Sequence, residues 1–277
     1  MSPSALESAP TGLNSVKISI PEPGILLVLI NRPRQLNSLS VEAGYELDSV
    51  FKWFDKESSL RVAILSGVGK AFCVGADLKV EEWMENNKKG VPMNLPETGF
   101  GGVSFRHGKK PIVAAVNGPA LGGGCEMAVN CDLVVASAHA TFGLPEVKRG
   151  VTPFGGALPR IMRTAGRQRA TELALTGRAV TAQEFKEWGV CNRVCEKGAD
   201  VIVEALELAK MIVENSPDAV IVTREGLKMG WESLSVADAS RLFLDGWSRK
   251  IYDTENMQEG LNAFTEKRTP RWEDSKL

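Results

Sequence analysis

Lys110-Pro111-Ile112-Val113-Ala114-Ala115-Val116-Asn117-Gly118-Pro119-Ala120-Leu121-Gly122-Gly123-Gly124-Cys125-Glu126 carries an apolar strand, three consecutive glycines and the start of a helix without a break. Glycine has no Cβ, so a ligand or a second backbone can approach the chain closely there. Amides in the first turn of a helix lack intrahelical partners and sit at the positive end of its dipole, which suits an oxyanion or a phosphate. Tight packing of the helix on the strand accounts for the same glycines. The segment is not a nucleotide loop. It holds no G-x-G-x-x-G in register, and Gly69-Lys70 is followed by Ala71 where a P-loop needs Ser or Thr.

Outward from this stretch, short apolar strands alternate with amphipathic helices. Residues 16–20 and 25–30 read as strands split by Pro21-Glu22-Pro23-Gly24, and residues 41–53 open a helix with Leu47, Val50, Phe51 and Phe54 at helical spacing. The cycle returns with a strand at 61–66 and a Gly-broken segment to Asp77, then with the strand at 111–116 and a helix to Asn130. A third cycle begins at 132–136. This order argues for an α/β domain of stacked turns rather than a doubly wound sheet, although no strict sequence repeat marks them. From Gly166 helical patterns dominate, at 167–175, 181–187 and 200–214, and three more follow Pro217. Trp231, Leu234, Phe243, Trp247, Ile251 and Phe264 are more large apolar groups than a thin helical layer buries on its own, so self-association is expected.

Composition excludes other classes. The chain has 277 residues, 43% of them apolar and 24% charged, and its 33 basic against 34 acidic side chains leave a net charge of -1. That gives no field to attract nucleic acid or an anionic membrane, and no apolar run approaches the ~20 residues of a membrane span. Neither partner is expected. Residues 1–14 read as a flexible, solvated tail without the features of a signal peptide. Five cysteines are an odd set, consistent with free thiols, and two histidines with one Cys191/Cys195 pair are too few ligands for a zinc site. No metal is expected.

A second peptide, Ala71-Phe72-Cys73-Val74-Gly75-Ala76-Asp77-Leu78, pairs with the glycine run. Further matching stretches are Asn31-Arg32-Pro33, Leu36-Asn37-Ser38-Leu39, Phe142-Gly143-Leu144-Pro145-Glu146, Pro153-Phe154-Gly155-Gly156, Leu175-Thr176-Gly177 and Ala263-Phe264-Thr265-Glu266-Lys267-Arg268-Thr269-Pro270. With these in order along nearly the whole chain, the sequence resembles the crotonase (enoyl-CoA hydratase/isomerase) superfamily, and within it the enoyl-CoA hydratases. The resemblance implies an α/β fold, a spiral of ββα turns over residues 15–215, followed by a helical oligomerisation region over 216–272 that forms trimers or dimers of trimers. It implies an acyl-CoA thioester substrate and no cofactor, coenzyme A being part of the substrate.

It also implies site residues. The amides of Val74 and Gly123 grip the thioester oxygen, where enolate charge develops, and losing such a donor costs roughly a hundredfold or more in rate. The loop Val74-Gly75-Ala76-Asp77 receives the adenine end of the coenzyme, while Arg34 and Lys267, the latter with Phe264 from a neighbouring subunit, meet its nucleotide. Glu126 handles water and Glu146 supplies the α proton. Hydration needs both a base and an acid, and neighbouring carboxyls in a dry cleft push one pKa up. The plainer alternatives are a solvated first-turn Glu126 and a Glu146 paired with Lys148 or Arg149. Trp83, Met84, Leu144 and Phe154 are candidates for the acyl pocket, Phe154 narrowing it. Cys125, with His107 or His139 as base, is the weaker candidate for a nucleophile.

Rival functions are a 3-enoyl-CoA to 2-enoyl-CoA isomerase, which needs one glutamate, and a non-catalytic acyl-CoA or RNA binder, which the neutral charge disfavours. Ser275-Lys276-Leu277 reads as a peroxisomal address, placing the protein in the matrix with the import receptor as a partner. Residues 273–277 are expected to be a free tail presenting it. A peroxisomal setting admits specialised acyl-CoA chemistry as well as fatty-acid metabolism, and the altered pocket residues favour the former.

Overall fold

A computed structural model describes residues 4–77, 94–231 and 235–277. Among these residues, nine strands form two sheets. The larger has the order β1 (Val16–Glu22), β2 (Ile25–Ile30), β3 (Val62–Gly67), β4 (Ile112–Val116), β6 (Leu133–Ala136), β9 (Arg193–Val194), and the smaller has β5 (Ala120–Leu121), β7 (Thr141–Gly143), β8 (Ala179–Thr181). β1 and β2 are antiparallel across a turn at Gly24, and every other pair in the large sheet is parallel. β3 and β4 are buried at every position, as parallel strands covered on both faces must be.

Among the described residues, ten α-helices surround the sheets. After a short α1 (Ser4–Glu7), α2 (Val41–Lys56) is capped by the Ser40 hydroxyl and packs Leu47, Val50, Phe51 and Phe54 into the main core with Leu26, Val28, Leu65 and Val116. α3 (Gly123–Asn130), α4 (Ala157–Ala165), α5 (Arg167–Thr176) and α6 (Ala182–Glu187) follow. α7 (Val201–Val213) covers the opposite sheet face, setting Val201, Ala205 and Ala209 against Val62, Ile64, Val113 and Val135. α8 (Pro217–Trp231), α9 (Val236–Asp245) and α10 (Glu255–Glu266) close the chain.

The stacked-turn expectation is met because successive units contribute to both layers. Each sends one strand into the large sheet and a second stretch inward, and the inward stretches pair at Leu39 with Ala76, at Cys73 with Ala120, and along β5, β7 and β8. The turns therefore rise in chain order.

Both termini differ from the sequence expectation. Ala5 is buried, and Ser8 receives a hydrogen bond from the Trp53 indole and donates one to Glu57, so the N-terminal stretch packs on α2 instead of floating free. At the other end the Trp272 indole N–H donates to the Glu214 carbonyl, and Asn256 clasps the Glu273 backbone at both its N–H and its C=O while donating to buried Asp218. The Ser275 hydroxyl also donates to Asp218, and Lys276 pairs with Glu255. In each case an aromatic donor or a buried amide supplies partners that a purely polar tail would lack. On the last three helices Leu227, Val236, Leu244 and Phe264 are exposed, while Leu234 lies outside the described residues.

One buried amide ties two turns together. Asn37, fully buried at φ 59°, accepts from the Arg32 N–H at 2.9 Å and donates to the carbonyls of Ala71 at 2.7 Å and Val68 at 3.0 Å. Asn37→Ala leaves these groups unpaired and puts a Cβ-bearing residue without local hydrogen bonds in the left-handed region. We expect it to lower stability by roughly 2–4 kcal/mol, read from the urea midpoint.

Candidate active site

The glycine run is demanded by contacts. A Cβ on Gly124 would stand 2.0 Å from the Cys73 carbonyl oxygen, and one on Gly123 would stand 2.5 Å from the Phe100 ring. α3 therefore begins pressed against the loop that follows Cys73. That loop is pinned by main-chain bonds from Leu121 N–H to Cys73, from Leu39 N–H to Gly75 and from Asp77 N–H to Leu39, each 2.9 Å. Gly75 turns the chain at φ 96°, a conformation that favours glycine. Packing, the plainer of the two readings of these glycines, is therefore observed, and it brings the first turn of α3 against the Val74 loop.

The close approach sets two donors side by side. Val74 and Gly123 are half-buried, and neither amide donates to another described residue. Gly123 is the first residue of α3, so its N–H also lies at the positive end of that helix. The pair can hold an oxygen that gains negative charge.

Two carboxyls stand beside it. Glu126, on the first turn of α3, is 3% exposed, and its Oε1 accepts from the Ala157 N–H at 3.5 Å. Glu146 comes from the 3-10 turn Pro145–Arg149 after β7, and its Oε1 lies 3.2 Å from where a Gly122 Cβ would be. Its buried Oε2 has no hydrogen-bond partner among the described residues. Burial raises both pKa values. Glu126, nearly enclosed and facing the charge of Glu146, is pushed up to about 7. The plainer alternatives do not describe these groups, since Glu126 is not solvated and Glu146 makes no ion pair with Lys148 or Arg149.

The other sequence-predicted residues are placed as follows. Gly75, Ala76 and Asp77 continue the Val74 loop, and the Arg32 guanidinium holds Asp77 at 2.9 Å. Arg34 is exposed in the turn Pro33–Gln35. Phe264 and Lys267, at the end of α10, are exposed, Phe264 at 84%. Leu144 packs in the main core, and Phe154 stands at the surface next to Gly155. Trp83 and Met84 lie outside the described residues. Cys125 is fully buried and burial pushes its thiol far up, while His107 and His139 are exposed, an arrangement unlike an activated nucleophile.

Sequence reasoning gave no site role to Asn130, Ser104 or Gly155, the last quoted only within a matching stretch. Asn130 donates to the Glu126 carbonyl at 2.6 Å and to the Gly155 carbonyl at 2.8 Å, tying α3 to the segment before α4. A Cβ on Gly155 would lie 2.7 Å from the Glu126 carboxylate and 3.0 Å from the Ser104 hydroxyl. Nothing in local spacing links residues 104, 126 and 155.

Comparisons with known proteins place the chain in a family. The family model described as enoyl-CoA hydratase/isomerase matches residues 21–275. The mevalonyl-coenzyme A hydratase sidH of Aspergillus fumigatus is 47% identical over 271 residues, covering 98% of this chain and 99% of the relative. The corresponding protein of Beauveria bassiana is 46% identical, covering 97% and 98%. Among solved structures, an enoyl-CoA hydratase from Mycobacterium tuberculosis superposes with a TM-score of 0.84 at 32% identity, covering 94% of this chain and 99% of that one. By match length, identity and fold, the chain belongs to the enoyl-CoA hydratase/isomerase family.

Proposed function

We propose that this protein is a hydro-lyase that adds water to, or removes it from, the β carbon of an acyl-CoA thioester, and that its acyl group is of the mevalonyl type. Such a group carries a methyl and a hydroxyl on the β carbon and a second hydroxyl at its end. The observation that supports hydro-lyase chemistry is a pair of carboxyls on separate elements, buried Glu126 and half-buried Glu146, beside the Val74 and Gly123 amides, which have no partner among the described residues. The acyl assignment rests on the mevalonyl-coenzyme A hydratases, which are 46–47% identical, against 36% for a probable enoyl-CoA hydratase of Dictyostelium discoideum.

In the dehydrating direction the thioester oxygen accepts from the Val74 and Gly123 N–H groups. Glu146 removes the α proton, and the electron pair of that C–H bond passes into the enolate held by the two amides. The enolate re-forms the carbonyl as the double bond forms and the β C–O bond breaks, and Glu126 gives its proton to the departing oxygen. Hydration is the reverse, with Glu126 activating water and Glu146 protonating the α carbon. In either direction the two carboxyls together hold one proton.

The Ser275-Lys276-Leu277 tripeptide supports a peroxisomal destination, and a receptor would have to draw it away from Asp218 and Glu255 to read it. Exposed Leu227, Leu244 and Phe264 support a trimer in which Phe264 and Lys267 reach the coenzyme nucleotide in a neighbouring copy, Arg34 meeting it from the same chain.

Four measurements test this reading. Incubation with mevalonyl-CoA and with straight-chain 2-enoyl-CoA thioesters, followed by mass, is expected to show loss or gain of one water, fastest for the mevalonyl group. Glu126→Gln and Glu146→Gln should each lower kcat by roughly 10²–10⁴-fold. Conversion of 3-enoyl-CoA at unchanged mass, surviving in Glu126→Gln, would instead establish the isomerase. The pH profile of kcat/KM is expected to fall as pH rises through about 7, where the pair loses its shared proton. Stability gives an independent readout of the same shift. A carboxyl raised from 4.5 to about 7 on folding contributes fully below 4.5 and loses that contribution as pH rises through about 7. At pH 8 Glu126→Gln should therefore be more stable than the parent by roughly 1–3 kcal/mol, measured by denaturant titration at both pH extremes.

A further inference from the structure

Gly155 is a glycine for reasons of space. Its φ is not in the left-handed region, yet a Cβ there would crowd the Glu126 Oε2 at 2.7 Å and the Ser104 Oγ at 3.0 Å. Its absence leaves a notch with the carboxylate on one side and the hydroxyl on the other.

Ser104 is fully buried, and its hydroxyl makes one hydrogen bond to a described residue. The hydroxyl donates to the Phe100 carbonyl at 3.2 Å, but that carbonyl already receives the N–H groups of Val103 and Ser104 at 3.4 Å. The Ser104 oxygen accepts from no described residue, so its lone pairs are unused in a place where water is scarce. Buried polar atoms are ordinarily paired, so an oxygen with open acceptor positions beside a buried carboxyl is a place for a donor to bind. The same peptide sets the Phe100 ring over Gly123, so residues 100–104 form one wall running from the amide pair to Glu126.

We propose that Ser104 is a further residue of the reaction: with Glu126, it holds the oxygen atom that is added to or removed from the β carbon. The assignment rests on the hydro-lyase reading. Ser104 keeps its own proton throughout. In dehydration the β C–O bond breaks with its electron pair going to oxygen, Glu126 supplies the proton, and the hydroxyl of Ser104 hydrogen-bonds that oxygen so that it leaves toward Glu126. In hydration the same bond aims the incoming water. Glu146 and the amides, which handle the α proton and the thioester oxygen, work without it.

Ser104→Ala tests this with two reactions on one protein. Hydration or dehydration should slow about tenfold in kcat with little change in KM. Exchange of the α protons of a saturated acyl-CoA with deuterium oxide, which involves no β oxygen, should proceed at the parental rate. Ser104→Cys, which keeps the shape with a weaker hydrogen-bonding group, should fall between. A Ser104→Ala enzyme that turns over water like the parent overturns the assignment, and so does an equal loss in both reactions, the mark of a merely structural role. A parent enzyme that exchanges α protons yet neither adds nor removes water overturns the hydro-lyase reading, and the Ser104 assignment with it.

Discussion

The contact between the first turn of α3 and the Cys73 carbonyl governs the rest of this molecule. Gly124 approaches that oxygen so closely that any side chain would have to occupy it. Because the strand-to-helix connection is pressed onto the preceding turn, Gly123 lies beside Val74 and both amides remain without partners among the described residues. Buried or half-buried main-chain donors are ordinarily paired, so two left open together are the feature on which the proposed oxyanion site rests. The same contact fixes the direction of α3, and hence where Glu126 points.

The carboxyls acquire their properties from different sources. Glu126 is enclosed by its own helix and by the segment around Gly155 and Ala157, whereas Glu146 arrives from a separate turn after β7. Burial raises both pKa values, and the negative charge of one resists ionisation of the other. A pair that retains one proton near neutral pH has an acid and a base available together. Chemistry that moves a proton at one carbon and an oxygen at the next needs this division, while a single proton shuttle does not. Stability is lost in exchange, since an apolar or amide side chain in place of Glu126 would avoid the desolvation.

Much of the architecture was legible from residue order. The alternation of buried strands with amphipathic helices anticipated β2, β3, β4, β6 and α2, because period and burial are local consequences of side-chain type. Gly122-Gly123-Gly124 next to an apolar strand indicated the helix start, and the match of Val74, Glu126 and Glu146 to a family pattern brought distant residues into one hypothesis. The termini were read less well. Ser8 and Trp272 gain their anchors from Trp53, Glu57 and Glu214, far away in sequence, and composition alone made both ends appear solvated.

By itself, the sequence determined the strand and helix periods, the glycine positions and the presence of two glutamates in a recognisable order, all of which are properties of residue type and spacing. Only the tertiary structure decided that Gly155 opens a notch between Ser104 and Glu126, that Asn130 ties α3 to the next segment, and that Glu126 is buried enough to keep its proton near pH 7. The physical reason is that desolvation and hydrogen-bond vacancy depend on what surrounds a group in space. Residues 104, 126 and 155 come from three separate turns, and no local pattern encodes their meeting.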